Sequence, residues 1–108
     1  MKTMLTTYPA IFCKSDHGMY AVLFPDFSCA TCGDNFVDAM EMAIDCMAGQ
    51  VRAMQMDKEE LPQASKPSQA LLEGECEKVG ANPTQACWQD VSVDVEAYAR
   101  QHFEESKA

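Results

Sequence analysis

YPAIFCKSDHGMYAVLFPDFSCATCGDNFVDAMEMAIDCMAG, residues 8–49, decides the fold. Thr7 to Cys13 are β-branched, aromatic or otherwise apolar, apart from Pro9 near the start, where a first or edge position tolerates its missing N–H; they predict a first strand. KSDHG at 14–18 is a polar turn closing on Gly18, and MYAVLF at 19–24 sets Tyr20, Val22 and Phe24 on one face of a second strand. The two make a hairpin. PDFS at 25–28 breaks the pattern, and CATC at 29–32 is a short third strand that stops at Gly33. The period then changes: Phe36, Ala39, Met40, Ala43, Met47, Val51 and Met54 recur at three- and four-residue steps and predict an amphipathic helix over 35–57, with Asp34 as its N-cap. Gly49 weakens the middle of this helix without forbidding it. Its outer face carries Asp38, Glu41, Asp45, Arg52 and Lys58, while the methionine stripe reads as core packing against the strands.

Downstream, EELPQASKPSQALLEGECEKVGANPTQAC at 59–87 contains Pro62, Pro67, Gly74, Gly80 and Pro83, and reads as a long irregular connection with at most a short helical turn at 68–73. Alternation returns in QDVSVDV, 89–95, where Val91, Val93 and Val95 alternate with Asp90, Ser92 and Asp94 as in a half-buried strand. Asp94 can cap a closing helix, VEAYARQHFEE at 95–105, with Val93 and Tyr98 spaced as a hydrophobic staple. The order is βββαβα: one α+β domain over 1–108, an antiparallel three-stranded meander extended by a fourth strand and covered by two helices.

A chain of 108 residues, 47% hydrophobic and 23% charged, suits a single domain with one core. Its net charge of −9 is unevenly placed: residues 1–33 are neutral, 34–61 sum to −5 and 62–108 to −4. That acidity argues against an autonomous nucleic-acid binder, which needs clustered Lys and Arg against phosphates. The helix at 35–57 has only Arg52 and Lys58 near its end, and the last one sets Arg100 and Lys107 beside Glu96, Glu104 and Glu105, so no direct DNA binding is expected. The longest apolar run, MYAVLF, is far too short to span a bilayer. Thr3, Thr6, Thr7 and Pro9 interrupt what a signal peptide would require, so a mature cytoplasmic chain is expected.

The cysteines, at 13, 29, 32, 46, 76 and 87, are then expected to be reduced thiols. Cys29 and Cys32 form a C-x-x-C, which raises a small thiol or metal-binding protein as an alternative. A structural zinc site needs four ligands, though, and a second such pair is missing. Redox motifs place the first cysteine at a helix N-terminus, whereas Cys29 falls in a strand. His17 and His102 stand at no recognisable catalytic spacing, and the glycines are too scattered for a phosphate loop. Tyr8, Phe12, Tyr20 and Phe24 read as core rather than as a stacking platform for RNA. Neither catalysis nor a cofactor is expected.

Tyr8, Pro9, Ala10 and Ile11, then Gly18, Tyr20, Phe24-Pro25-Asp26, Cys29-x-Thr31-x-Gly33-Asp34, and Asp38-Ala39 form an ordered set that resembles the N-terminal domain of the HicB family of bacterial antitoxins. DVSVDVEAYARQHF resembles the family's last strand and helix, with Val93, Asp94 and Tyr98 in place. The resemblance implies a partial RNase-H-like fold, akin to a double-stranded-RNA-binding sheet, without catalytic activity. It also implies a partner: a small basic, HicA-like toxin that cleaves mRNA and whose active site the antitoxin covers. Two departures stand out. The loop after Phe24-Pro25-Asp26 usually continues through Pro-Gly and here is the shorter Phe27-Ser28, and the sequence ends at Ala108 where many relatives continue into a DNA-binding segment, so no C-terminal DNA-binding domain is expected.

For such an antitoxin, affinity is expected from apolar contacts ringed by acids, on a surface combining Asp26 and Phe27 with Asp38, Glu41 and Asp45. A homodimer or higher homo-oligomer is expected, because a sheet of this kind leaves unpaired edges. An orphan HicB-like oligomer with a regulatory or structural role is the other alternative, since it needs the same fold.

Overall fold

The computed structural model describes residues 5–27 and 29–102. Its elements are β1 (Thr6–Lys14), β2 (Tyr20–Phe24), β3 (Cys29–Gly33), α1 (Phe36–Met56), α2 (Gln69–Val79), a single 3₁₀ turn (Pro83–Gln85), β4 (Ala86–Val93) and α3 (Val95–His102). Lys107, Glu104, Glu105 and the remainder of the predicted last helix lie outside the described residues, as does Ser28 of the turn after β2.

The strands form one antiparallel sheet in the order β3-β2-β1-β4. The β1–β2 hairpin pairs Lys14 with Tyr20 and Ile11 with Leu23, turning at Gly18, whose φ of 84° suits a residue without a Cβ. β4 returns along the opposite edge of β1, from Thr6 opposite Val93 to Cys13 opposite Ala86. β1 is thus central, and Pro9 sits where β1 runs beyond the end of β2, in a stretch whose β2-side edge is open.

Tyr8, Ala10 and Phe12 of β1, Val22 and Phe24 of β2 and Val91 and Val93 of β4 face α1 and α3, where Ala39, Ala43, Met47, Val51 and Val95 complete the main core. The alternate residues, Ile11, Cys13 and Leu23, form a second, smaller core under Leu72 and Cys76 of α2. Every residue from Tyr8 to Cys13 is buried, which explains why YPAIFC is a continuous apolar run: helices cover both faces of this strand.

α1 is continuous through Gly49. Its N-cap is Asn35 rather than Asp34: the Asn35 side chain accepts the Asp38 N–H at 2.9 Å, and the Asp38 carboxylate accepts the N–H of Asp34, the residue before the cap, at 2.9 Å, so two bonds tie down the first turn. α3 is capped by Asp94, whose carboxylate accepts the Ala97 N–H at 3.1 Å. Val93 is buried and Tyr98 packs on the same core, as a staple requires.

The segment 59–87 is not wholly irregular, and the helix count rises to three. Ser68 caps α2 by accepting the Leu71 N–H at 3.1 Å; Gly80, at φ 72°, ends it, and the Ala81 N–H returns to the Cys76 carbonyl at 2.9 Å. Gly74 and a two-residue apolar stripe, Leu72 and Cys76, hide this helix in the sequence. β4 also begins earlier than the alternation at 89–95 suggests and ends at Val93. The irregular part shrinks to a strap between α1 and α2 that passes from one face of the sheet to the other. Tyr8 Oη donates to the Pro62 carbonyl, and Ser65 bonds to Asp26. Among the described residues no helix is long and apolar enough to cross a membrane.

Candidate functional site

The residues expected to meet a partner fall into two separate regions. Asp26 and Phe27 lie in the turn after β2, beside Gln50, Met54, Asp57 and Glu59 at the C-terminal end of α1, and line a shallow cleft of about 400 Å³ there. Asp38, Glu41 and Asp45 occupy the N-terminal half of that helix, and at 1.5 Å per residue Asp38 and Met54 stand about 24 Å apart along the axis. The expected single surface is therefore divided.

Four of the five residues have evident structural work. Phe27 is buried, edge-on to Tyr8 with ring centroids 4.6 Å apart and near Phe24 at 6.2 Å. Asp26 accepts the Ser65 N–H at 3.0 Å and the Ser65 hydroxyl. Their neighbour Tyr8 has its pKa raised, first by burial and then by the Asp26 charge, which disfavours a second anion nearby. Asp38 belongs to the α1 cap. Asp45 accepts the Tyr98 hydroxyl at 3.0 Å and so joins α1 to α3; burial and then this bond raise the Tyr98 pKa. Glu41 is exposed.

α1 also presents apolar side chains outside the core stripe. Val37 is 67% exposed and Met42 42%. On the helix surface Glu41, Asp45 and Asp38 lie between them, so this half of α1 offers an acidic stripe with one exposed apolar side chain on each flank. The signal was in the sequence for Met42, which fits no position of the buried stripe, but not for Val37, which is in step with Met40 and Ile44.

The C-x-x-C does not form a site. Both cysteines lie on β3, and residues three apart on a strand point to opposite faces. Cys29 packs on the main core, where burial and then a hydrogen bond with Cys46 push its thiol pKa up to about 12. Cys32 is exposed on the other face. Among the described residues no three His, Cys, Asp or Glu side chains converge as metal ligands.

A larger cleft, about 550 Å³, opens between the β1–β2 hairpin and the turn after α2. His17, Cys32 and Cys13 are among the residues lining it. Cys13 is buried at its base with Sγ 3.8 Å from Cys76 Sγ, and burial followed by these neighbouring thiols pushes its pKa up to about 12, the wrong direction for an activated nucleophile. His102 stacks on Tyr98 with centroids 4.1 Å apart, away from any cysteine of that cleft. In α3 the guanidinium of Arg100 is paired with Glu96 at 2.9 Å.

No protein-family model and no curated protein sequence matches the chain. Solved structures do. A chain of a toxin–antitoxin complex from Streptococcus pneumoniae is similar over 88% of this chain and 73% of its own length, with 31% identity and a TM-score of 0.74. The Burkholderia pseudomallei antitoxin HicB is similar over 82% of this chain and 63% of its own, with 24% identity and a TM-score of 0.58. The chain belongs to the HicB antitoxin family. A third structure, of a HicA3 and HicB3 toxin–antitoxin complex, shares the HicB fold at a TM-score of 0.55 and 21% identity, over 77% of this chain and 94% of that one. The first of these likenesses spans 88% of the chain, more than the two blocks, 8–49 and 90–103, that carry the motifs.

Proposed function

We propose that this HicB-family protein binds and neutralises a small basic, mRNA-cleaving toxin of the HicA type, without catalysis of its own and in the cytoplasm. The observation that carries this reading is the 31% identity over 88% of the chain to a component of a toxin–antitoxin complex. Charge supports it, because a protein of net charge −9 attracts a cationic partner and speeds the encounter.

The outer face of the first half of α1 is the proposed toxin-binding surface. Glu41 with Asp38 and Asp45 supplies an acidic centre for a cationic partner, and Val37 and Met42 on its flanks supply apolar contact. Asp26 and Phe27 support this surface indirectly, by fixing the strap and the core behind α1. A homodimer or higher oligomer belongs to the same reading, since β3 and β4 are the two edges of the sheet and exposed edges are commonly closed by pairing. Direct binding to DNA is no part of it.

The test mixes the purified protein with a basic RNase-type toxin encoded beside it and follows complex formation by calorimetry and RNA cleavage by gel. A stoichiometric complex and loss of cleavage are expected, both weakened by Val37→Asp combined with Glu41→Lys. No complex and no inhibition would defeat the antitoxin reading and leave an oligomer of another role.

A further inference from the structure

α2 is fastened to the sheet by little. Leu72 and Cys76 are its buried residues, and the Trp88 indole N–H reaches back from β4 to the Ser68 carbonyl at its cap, 3.1 Å away. One of the two buried anchors is a thiol resting on a thiol: Cys76 Sγ is 3.8 Å from Cys13 Sγ of β1, in an apolar shell that includes Ile11 and Leu23. A disulfide bond is about 2.05 Å long, so the sulfurs need to approach by less than about 2 Å. The C-terminal half of α2, anchored through Cys76, is the element that can supply that movement. The cleft between the hairpin and the turn after α2 is lined by Cys13 together with Gly80 and Ala81, which gives a small reagent a route to the pair.

We propose that Cys13 and Cys76 form a reversible disulfide that latches α2 onto the second face of the sheet. The oxidant is a low-molecular-weight disulfide such as oxidised glutathione. One cysteine gives up its proton and attacks a glutathione sulfur; the S–S bond of the oxidant breaks, and the departing glutathione thiolate takes a proton. The second cysteine, deprotonated in turn, attacks the protein sulfur of the mixed disulfide and expels the second glutathione. Two protons and two electrons leave the cysteine pair and appear in two reduced glutathione molecules. In a reducing compartment the pair stays open and α2 rests on Leu72 and the Trp88 contact. As glutathione disulfide accumulates, the latch closes. Burial holds the proton on Cys13, so attack by this thiol is slow near neutral pH and quickens as pH rises.

The test uses the full chain, incubated under native conditions with oxidised glutathione, quenched by alkylation and mapped by peptide mass spectrometry. The expected product is a Cys13–Cys76 linked peptide, reversed by dithiothreitol, with amide exchange over 69–79 slowed by on the order of tenfold or more. The same link is expected in a Cys32→Ser, Cys87→Ser double variant, which removes two exposed thiols and leaves the pair intact. Modification confined to Cys32 and Cys87, a Cys29–Cys46 link without Cys13–Cys76, or a Cys13–Cys76 link that leaves exchange over 69–79 unchanged would each overturn the proposal.

Discussion

The Asp26 carboxylate receives the backbone N–H of Ser65 at 3.0 Å and its hydroxyl as well, so the tight turn that ends β2 holds the strap joining α1 to α2. Asp26→Ala leaves two donors unanswered and is expected to cost about 2–3 kcal/mol. Ser65→Ala keeps the backbone bond and should cost about half as much. Urea unfolding of the two single variants and the double measures the coupling; additive losses would show that the strap is held elsewhere.

Gly33 and Gly74 should respond in opposite ways to alanine. A Cβ on Gly33 would lie 2.3 Å from the Ala39 nitrogen and 2.5 Å from its Cα, so α1 itself would have to move away from β3. Gly33→Ala is therefore expected to destabilise by about 3 kcal/mol or more. A Cβ on Gly74 meets nothing within 4 Å, and Gly74→Ala should stabilise α2 by about 0.5–1 kcal/mol. Thermal melts of both variants beside the parent check the pair.

Stability should fall at alkaline pH. The Cys13 and Cys29 thiols are pushed up to about 12 from an ordinary 9.0. A raised pKa means that the folded state keeps its proton when the unfolded chain has lost it, so this contribution is complete below pH 9 and is lost as pH rises toward 12. Urea midpoints should be level through neutrality and drop above pH 9, with a shallower drop in Cys13→Ala. A flat profile in the parent would contradict the buried, protonated thiols.

If the acidic stripe of α1 steers the toxin onto the proposed face, association should be sensitive to salt and dissociation much less so. Raising salt from about 0.05 M to about 0.5 M shortens the Debye length and is expected to slow association by about tenfold. Stopped-flow mixing with the toxin separates the two rates. Equal effects on both would contradict steering.

Trp88 is the sole tryptophan of the chain, and its indole N–H touches the cap of α2. Leu72→Ala removes one of two buried anchors and should free α2 before the sheet melts, at a cost of about 2–4 kcal/mol. The expected signature is a red-shifted emission with strand ellipticity retained. Simultaneous loss of both signals would mean that α2 and the sheet unfold as one unit.

The hairpin, β3 and α1 were legible because each is marked twice, by its own period and by a turn or cap: Gly18, Gly33 and the capping residues Asp34 and Asn35 before Phe36. Asn35 rather than Asp34 is the cap because Asp38, three residues on, gives its N–H to Asn35 and engages Asp34 through its carboxylate. α2 was opaque for a physical reason, since Leu72 and Cys76 give it too narrow an apolar stripe for periodicity, and what holds it in place is Cys13, Ile11 and Trp88, distant in sequence. Phe27 was read as surface because it follows a turn. Its ring instead folds back onto Tyr8, a contact no local pattern encodes. Met42 was readable as an apolar residue out of step with the buried stripe, whereas Val37 is in step with Met40 and Ile44 and only the structure shows it exposed.

The place of β1 in the sheet bears on how the protein is made. β1 leaves the ribosome before the other strands of the sheet, with an apolar run that needs a neighbour on each edge; β2 arrives at once, but β4 is not complete until Val93. At about 5–20 residues per second, the β4-side edge of the nascent strand stays open for on the order of ten seconds. Over that interval the newborn chain presents a sticky half-sheet. Slow codons between β2 and β4 would lengthen that exposure, and aggregation during synthesis, rather than instability of the finished fold, is the hazard this strand order creates.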